Sequence, residues 1–522
     1  MKTVKECTVL VAVDNYFQGE KCDVESLIES LGTIIWKTSM MMQNKAMWEY
    51  TISLSKCEDI WVLTIEILKK IEHKEISFSE NDLRLIKGIT LLIRNLSISY
   101  RESNRHSHTI NILQNEYLVK ILHNMFCFID VNTEVALQLR ALDVMIVCFH
   151  CLFNCYKQAR DSLSIELLTQ SLKCLISKLQ TVGTLCELKQ ILPQLEHLCS
   201  SSDTKKLLLK DNCEFFLNIF RSISRILNVN PQIDIQNLRE INPDHYQVFL
   251  TLAKSIVHLF DEGTLAVNMF KSAQTDPEKN SNSLFTFLIV LQFAFSTEEQ
   301  ENDIDYAALG LMCLEFYEIF EKNCIELLEN RKMDQEDWNK LACYHRIIIP
   351  LLDIVSNLLP YKLFLETLKS YNFVEKIVCF LQIIENNTER RRLKDLESPM
   401  GDKKVFGNVK TILIEIITYL VHNDKESQDL VRENGGLILI LNNCNLDVNE
   451  PFIRERCILC LKYLLENNAE NQAFVASLEP KKVEVTQENE KILEKSGYEV
   501  EIVDGKVKLK KTNDLIGKIE GN

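Results

Sequence analysis

The chain is 522 residues long and has only 14 glycines and 9 prolines, so breakers are scarce and a nearly all-α protein is expected. A hydrophobic content of 46% supplies core for several domains or for one elongated stack. Acidic residues outnumber basic ones by 74 to 59, and the net charge of −15 repels phosphate backbones and anionic lipid. Nucleic acid and membrane surfaces are therefore not expected as partners, while a basic peptide or protein would be steered favourably.

The 18 cysteines are scattered through predicted helices and read as reduced, mostly buried thiols of a cytoplasmic protein. The apolar run 7–13 stops at Asp14 and is too short for a secretory leader. No apolar run reaches the roughly 18–20 residues that cross a bilayer. Residues 144–153 and 284–295 suit buried helices, so no membrane insertion is expected.

In chain order, residues 1–75 hold amphipathic helices, including 60–71 with the stripe Ile60, Leu63, Ile67, Leu68 and Ile71. Ser79 and Asp82 offer N-capping side chains to a helix ending Arg94-Asn95-Leu96, an ending like that of an armadillo third helix. Residues 118–129 and 135–156 continue in the same style. Three helical runs fill 162–227, and the pattern lapses over 228–244, where Asn230-Pro231 and Asn242-Pro243 predict a bend. Helix returns at 246–260. Residues 272–283 and 296–303 read as exposed loops around the apolar run 284–295. Long helices follow at 305–330 and 337–359, the second with a kink expected at Pro350. After the 373–384 helix, 386–402 is charged and unpatterned, with Arg390, Arg391, Arg392 and a Ser398-Pro399 dipeptide. It reads as a flexible insertion carrying a candidate phosphosite.

Residues 404–478 carry the clearest pattern. Val405, Val409, Ile412, Leu413, Ile416 and Leu420 form one apolar face, with Lys404, Lys410 and Glu415 expected on the other. A short polar helix follows Asn423-Asp424, and the chain breaks at Gly435-Gly436. A long helix is expected from about Asn449, with Pro451 in its first turn and the stripe Ile453, Cys457, Cys460, Leu461 and Leu464. The line from Asn423 through Glu426 and Gln428 to Val431 aligns, 44 residues on, with Asn467, Glu470, Gln472 and Val475. That spacing is typical of armadillo and HEAT solenoids.

The segment Glu426-Ser427-Gln428-Asp429-Leu430-Val431-Arg432-Glu433-Asn434-Gly435-Gly436, and the later run from Cys444 through Asp447, Asn449 and Pro451 to Arg454-Glu455, resemble the C-terminal signature of the ataxin-10 family. Asn467 to Gln472 and the pair Leu478-Glu479 look like its continuation. About 75 residues match densely. Ile438, Arg456 and Tyr463 depart from residues frequent in the family, namely proline, tryptophan and asparagine. Fungal members also carry the name copper transport protein. The resemblance implies a cytoplasmic armadillo-like protein linked to cytokinesis. Within the matching segment Glu433, Asp447, Asn449, Pro451, Arg454 and Glu455 are the candidate partner-contact residues.

The C-terminal end differs in kind. Tyr498, Val500 and Ile502 alternate with charged residues before Asp504-Gly505, and Val507 and Leu509 alternate with lysines after it, which is a two-residue β-hairpin signal. For chemistry, Cys148, Cys151 and Cys155 around His150 suggest copper or zinc. However, on a helix Cys148 and Cys155 are about 10 Å apart along the axis, and His150 points away from Cys148. Arg105-His106-Ser107-His108 reads as a surface loop. There is no phosphate-cradling glycine loop, no His-Glu-x-x-His and no Gly-x-Ser-x-Gly, so neither catalysis nor a cofactor is expected. Asn95 matches one rung of the asparagine ladder with which some armadillo proteins clamp peptides, but Tyr463 stands where a C-terminal rung belongs.

The expected architecture is an all-α, armadillo-like α-α superhelix (solenoid) with a short C-terminal β-hairpin. Its parts are an N-terminal stack over 1–385, the insertion over 386–403, the recognisable repeats over 404–480 and a tail over 481–522. The functional expectation is a non-enzymatic scaffold for other proteins; the rival is a metal-handling protein built on the Cys148 helix. Solenoid ends expose apolar faces unless capped, so self-association is expected if the tail does not cap. Deleting residues 481–522 should lower the melting temperature or promote aggregation; unchanged stability and solubility would discard the capping role.

Overall fold

The computed structural model describes residues 4–73, 77–103, 116–131, 133–159, 162–200, 206–208, 214–230, 237–257, 271, 277–296, 305–329, 334–388, 406–478, 492–493, 495–496, 498–503 and 506–511. The chain divides into two units, Met1–Thr367 and Leu368–Asn522. The division precedes the helix Phe373–Asn387, which packs within the second unit. Of the expected charged insertion, residues 389–403 lie outside the described residues.

Both units are helical and ordered as solenoids. In the first, packing runs up the chain: Val24–Ser39 lies on Glu80–Ser103, which lies on Gln138–Ala159, then Leu185–Cys199, Pro243–Val257, Pro277–Ser296 and Gln335–Leu358. Each helix in that series touches near neighbours in sequence, the property that defines a solenoid. Ion pairs repeat with the same step: Lys70–Asp14 at 2.6 Å, Arg84–Glu25 at 2.7 Å, Lys87–Asp143, and Lys189–Asp244 at 2.7 Å. These pairs are part-exposed and contribute little individually. The stack is held by burial of stripes such as Ile60, Trp61, Ile67, Leu68 and Ile71. The helix Glu80–Ser103 starts as expected, with the Ser79 hydroxyl receiving the Asp82 amide at 3.2 Å and donating to Asp82 Oδ2 at 2.6 Å.

Three expectations for this unit need correction. Residues 277–283 are not a loop: the helix Pro277–Ser296 begins at the proline, which suits a first-turn position, and Asn280, Ser281 and Ser283 are buried. Asn95 is no rung of an open ladder. It is 2% exposed, and its side-chain amide donates to Thr38 Oγ1 at 3.0 Å, inside the stack. Two helical segments, Val135–Tyr156 and Gln335–Leu358, are long and apolar enough in composition to cross a bilayer, although no uninterrupted apolar run suggested it. In each, 56% of the most apolar window is buried inside the protein, against neighbouring helices.

The second unit packs Phe373–Asn387 against Val409–Val421, Lys425–Glu433 and Gly436–Asn442. Val409–Val421 and Gly436–Asn442 pack in turn on Ile453–Leu465, which is followed by Ala469–Ser477. A short helix, a second short helix and a long third one make an armadillo-type repeat. The β-hairpin forms as expected, with Tyr498–Val503 antiparallel to Lys506–Lys511 and Val500 opposite Leu509. Its turn lies outside the described residues.

The break at Gly435-Gly436 has a steric cause. Gly435 takes a left-handed conformation, φ +77°, and a Cβ on Gly436 would stand 2.8 Å from Val431 Cγ1 and 3.0 Å from the Val431 carbonyl. Replacing Gly436 with alanine is expected to destabilise this unit by about 1–3 kcal/mol. Chemical denaturation followed by hydrogen exchange in the Gly436–Asn442 helix measures it, and an unchanged midpoint would contradict the steric reading.

Candidate functional site

The repeat seen in the sequence is reproduced atom for atom at the starts of two helices. Asn423 and Asn467 are both left-handed, with φ 55° in each. The next residues cap the helices: Asp424 accepts from the Glu426 and Ser427 amides, and Asn468 accepts from the Asn471 amide at 3.0 Å. Gln428 and Gln472 each reach back seven residues, to the Val421 carbonyl at 3.3 Å and the Leu465 carbonyl at 2.7 Å. Those carbonyls end the long helices and would otherwise lack partners.

The same polar residues join one repeat to the next. Gln428 Nε2 donates to the Tyr463 carbonyl at 2.8 Å, and Asn468 Nδ2 donates to Gln428 Oε1 at 3.1 Å and Asp429 Oδ1 at 3.0 Å. Asn471 Nδ2 donates to the Leu464 carbonyl at 2.8 Å and the Gln428 carbonyl at 3.3 Å. Arg432 closes the row on Asn471 Oδ1 at 2.8 Å. Most of the polar part of the ataxin-10-like signature is thus an amide seam inside the stack.

A second cluster was missed by periodicity. Lys410 is not on the solvent side of its helix; it is 3% exposed, and its ammonium meets Glu385 Oε2 at 3.1 Å and Asp447 Oδ2 at 3.4 Å. Glu450 caps the same helix from a distance in sequence, accepting from the Lys410 amide at 3.2 Å, the Thr411 amide at 3.1 Å and the Thr411 hydroxyl at 2.6 Å. Burial pushes the Glu450 carboxyl up to about 7, against the pull of Thr411 and Lys410 in the other direction. The only hint in the sequence was the Asp447–Glu450 run of polar residues between two helices.

This cluster separates the six candidate residues. Asp447 belongs to the buried network, and its Oδ1 also receives the Asn449 amide at 3.0 Å. The Asn449 carbonyl accepts the Asn408 amide at 3.3 Å. These bonds hold 447–450 as a turn, so the long helix starts at Ile453 instead of Asn449, and Pro451 precedes the helix. Pro451, Arg454 and Glu455 are exposed around the helix start. Glu433 is exposed elsewhere, at the end of Lys425–Glu433, 3.4 Å from Arg432. Beyond Arg454, the outer face of Ile453–Leu465 carries Ile458 at 53% exposure and Leu459 at 38%, with Phe452 just ahead at 69%. Ile453, Cys457, Cys460 and Leu464 are buried on the opposite face, as the stripe predicted.

Around Cys148 the structure gives a metal reading no support. Burial raises all three thiols, Cys155 to about 12, and Cys151 donates to the Thr90 carbonyl at 3.2 Å. His150 Nε2 faces the Gln190 carbonyl at 3.3 Å, and burial lowers its basicity. Metal-ligating cysteines need the opposite environment, one that favours thiolate.

An acidic, all-α chain with armadillo-type repeats sealed by buried amides is the class that these features define. A family model described as "Spinocerebellar ataxia type 10 protein domain" matches residues 409–510, the span that begins with the Lys410 helix. The chain is 42% identical over 178 residues to an "Ataxin-10 homolog" of Debaryomyces hansenii, covering 34% of this chain and 35% of that protein. It is 32% identical over 271 residues to one of Candida glabrata, covering 45% and 50%. To "Ataxin-10" of Homo sapiens it is 24% identical over 333 residues, covering 62% and 66%. The matched region therefore spans half or less of those two fungal relatives. The chain belongs to the ataxin-10 family.

The Glu450 carboxyl generates a pH prediction. Its folded pKa lies above its unfolded value, so the folded state holds the proton more tightly and this group stabilises most below about pH 4.5. That contribution should be lost as pH rises towards about 7, a change on the order of 3 kcal/mol. The stability difference between the native chain and Glu450→Gln should therefore vary across this window. A difference independent of pH would contradict the assignment.

Proposed function

We propose that this chain is a non-enzymatic cytoplasmic scaffold that captures other proteins on its C-terminal repeats and acts in the control of cytokinesis. The observation that carries the reading is the outer face of Ile453–Leu465, where Ile458 and Leu459 stand in solvent between Glu455 and Lys462 while the opposite face is fully packed. Exposed apolar side chains rimmed by charge are the composition of a protein-docking surface. Phe452 and Arg454 extend it at the helix start, and aromatic and arginine side chains are common anchors of such surfaces. The net charge of −15 favours partners with a basic contact face. Membership of the ataxin-10 family supports the link to cell division.

The test is crosslinking of the full chain in dividing cells, followed by mapping of the linked residues. Crosslinks should concentrate on 452–462. The double substitution Ile458→Ser, Leu459→Ser should weaken partner binding at least tenfold, the loss of about 1.4 kcal/mol or more of contact, with stability nearly unchanged. Partners retained in full by that variant, or crosslinks confined to other faces, would sink the proposal.

A further inference from the structure

Three side chains from two neighbouring segments meet beside the proposed docking face. Cys444 lies in the turn after Gly436–Asn442; it is half-buried, and its thiol is 3.4 Å from the Ile440 carbonyl. Cys457, in the second turn of Ile453–Leu465, is fully buried and lies within hydrogen-bonding reach of the Cys444 sulfur. Arg454, exposed one turn before Cys457, places its positive charge near the same sulfur. The hydrogen bond from Cys457 and the Arg454 guanidinium outweigh desolvation and hold the Cys444 thiol below its ordinary value. Burial does the reverse at Cys148, Cys151, Cys155, Cys313 and Cys324, and at the neighbouring Cys460, which is pushed up to about 12.

We propose that Cys444 is an oxidant-sensitive modification site, with Cys457 as its resolving thiol, and that a hydroperoxide converts the pair to an intramolecular disulfide. The Cys444 thiolate attacks the distal peroxide oxygen, the O–O bond breaks, and the leaving alkoxide or hydroxide takes a proton, leaving Cys444 as a sulfenic acid. The Cys457 sulfur then attacks the Cys444 sulfur, the S–O bond breaks, and water leaves with the Cys457 proton. Two electrons pass from the two thiols to the peroxide. An accessible, anion-stabilised sulfur next to a buried partner is the arrangement such chemistry requires. The disulfide closes residues 444–457 into a loop. That loop carries Asp447 and Glu450, the side chains that hold Lys410 and cap its helix, and Arg454 of the docking face.

The test exposes the reduced full chain to hydrogen peroxide and maps it without reductant. A linked peptide pair containing Cys444 and Cys457, lighter by two hydrogens and reopened by dithiothreitol, is expected. Cys457→Ala should leave Cys444 as a sulfenic acid that dimedone traps. Cys444→Ser, at the half-buried position, should abolish the linked pair with folding intact by circular dichroism. Arg454→Gln should slow alkylation of Cys444 severalfold at neutral pH and move its pH midpoint upward, a shift that a purely structural arginine would not produce. The proposal is overturned if Cys444 stays unmodified while the exposed Cys22 and Cys186 are oxidised. It is equally overturned if Cys444 links to another cysteine or to a second copy.

Discussion

Gln428 is the pivot of the C-terminal unit. Its amide nitrogen is shared among the carbonyls that end one long helix and those that end the next, at Val421, Tyr463 and Glu466, while its oxygen receives Asn468. An α-helix leaves its last carbonyls without partners, and a stack of helices buries many of them. Each orphan would cost about 1–3 kcal/mol. An amide suits the task because it donates twice and accepts at the other end. Apolar burial holds the helices together; the amides set which helix end faces which, and so the register of one repeat on the next.

Much of this was legible. The 3.6-residue stripes located the buried faces, Asn-Asp and Asn-Asn marked the turns, and the 44-residue step paired Gln428 with Gln472 before any coordinates. What pattern could not convey was the destination of polar side chains. Lys410 counts as polar in any periodicity argument, yet it is buried because Glu385 and Asp447, 25 and 37 residues away, neutralise it. Asn95 carried the look of a peptide-clamping rung and instead bonds to Thr38 within the stack. In the same way, Pro277 was taken as loop punctuation when it opens a helix. Each difference comes from a partner distant in sequence, which local reading does not see.

The signature residues divide by role. Gln428, Arg432, Asn468 and Asn471 seal the seam, and Asp447 with Glu450 locks the helix that opens the unit. The exposed ones, Pro451, Arg454 and Glu455, gather at the start of one long helix, next to Phe452 and ahead of Ile458 and Leu459. A rigid inner seam and an adaptable outer face are what a docking module needs: the first keeps the second in one shape. The Cys444–Cys457 pair lies between them, on the segment that connects the lock to the face.

The central claim is that amide side chains, in addition to apolar packing, hold the last repeat in place. Hydrogen exchange on Asn471→Ala tests it most directly, because this change deletes the bonds to the Leu464 and Gln428 carbonyls and to Arg432 without emptying the apolar core. Protection of the Ala469–Ser477 helix should fall at least tenfold while that of Phe373–Asn387 stays as it was. Equal protection of Ala469–Ser477 in the two proteins would contradict the account.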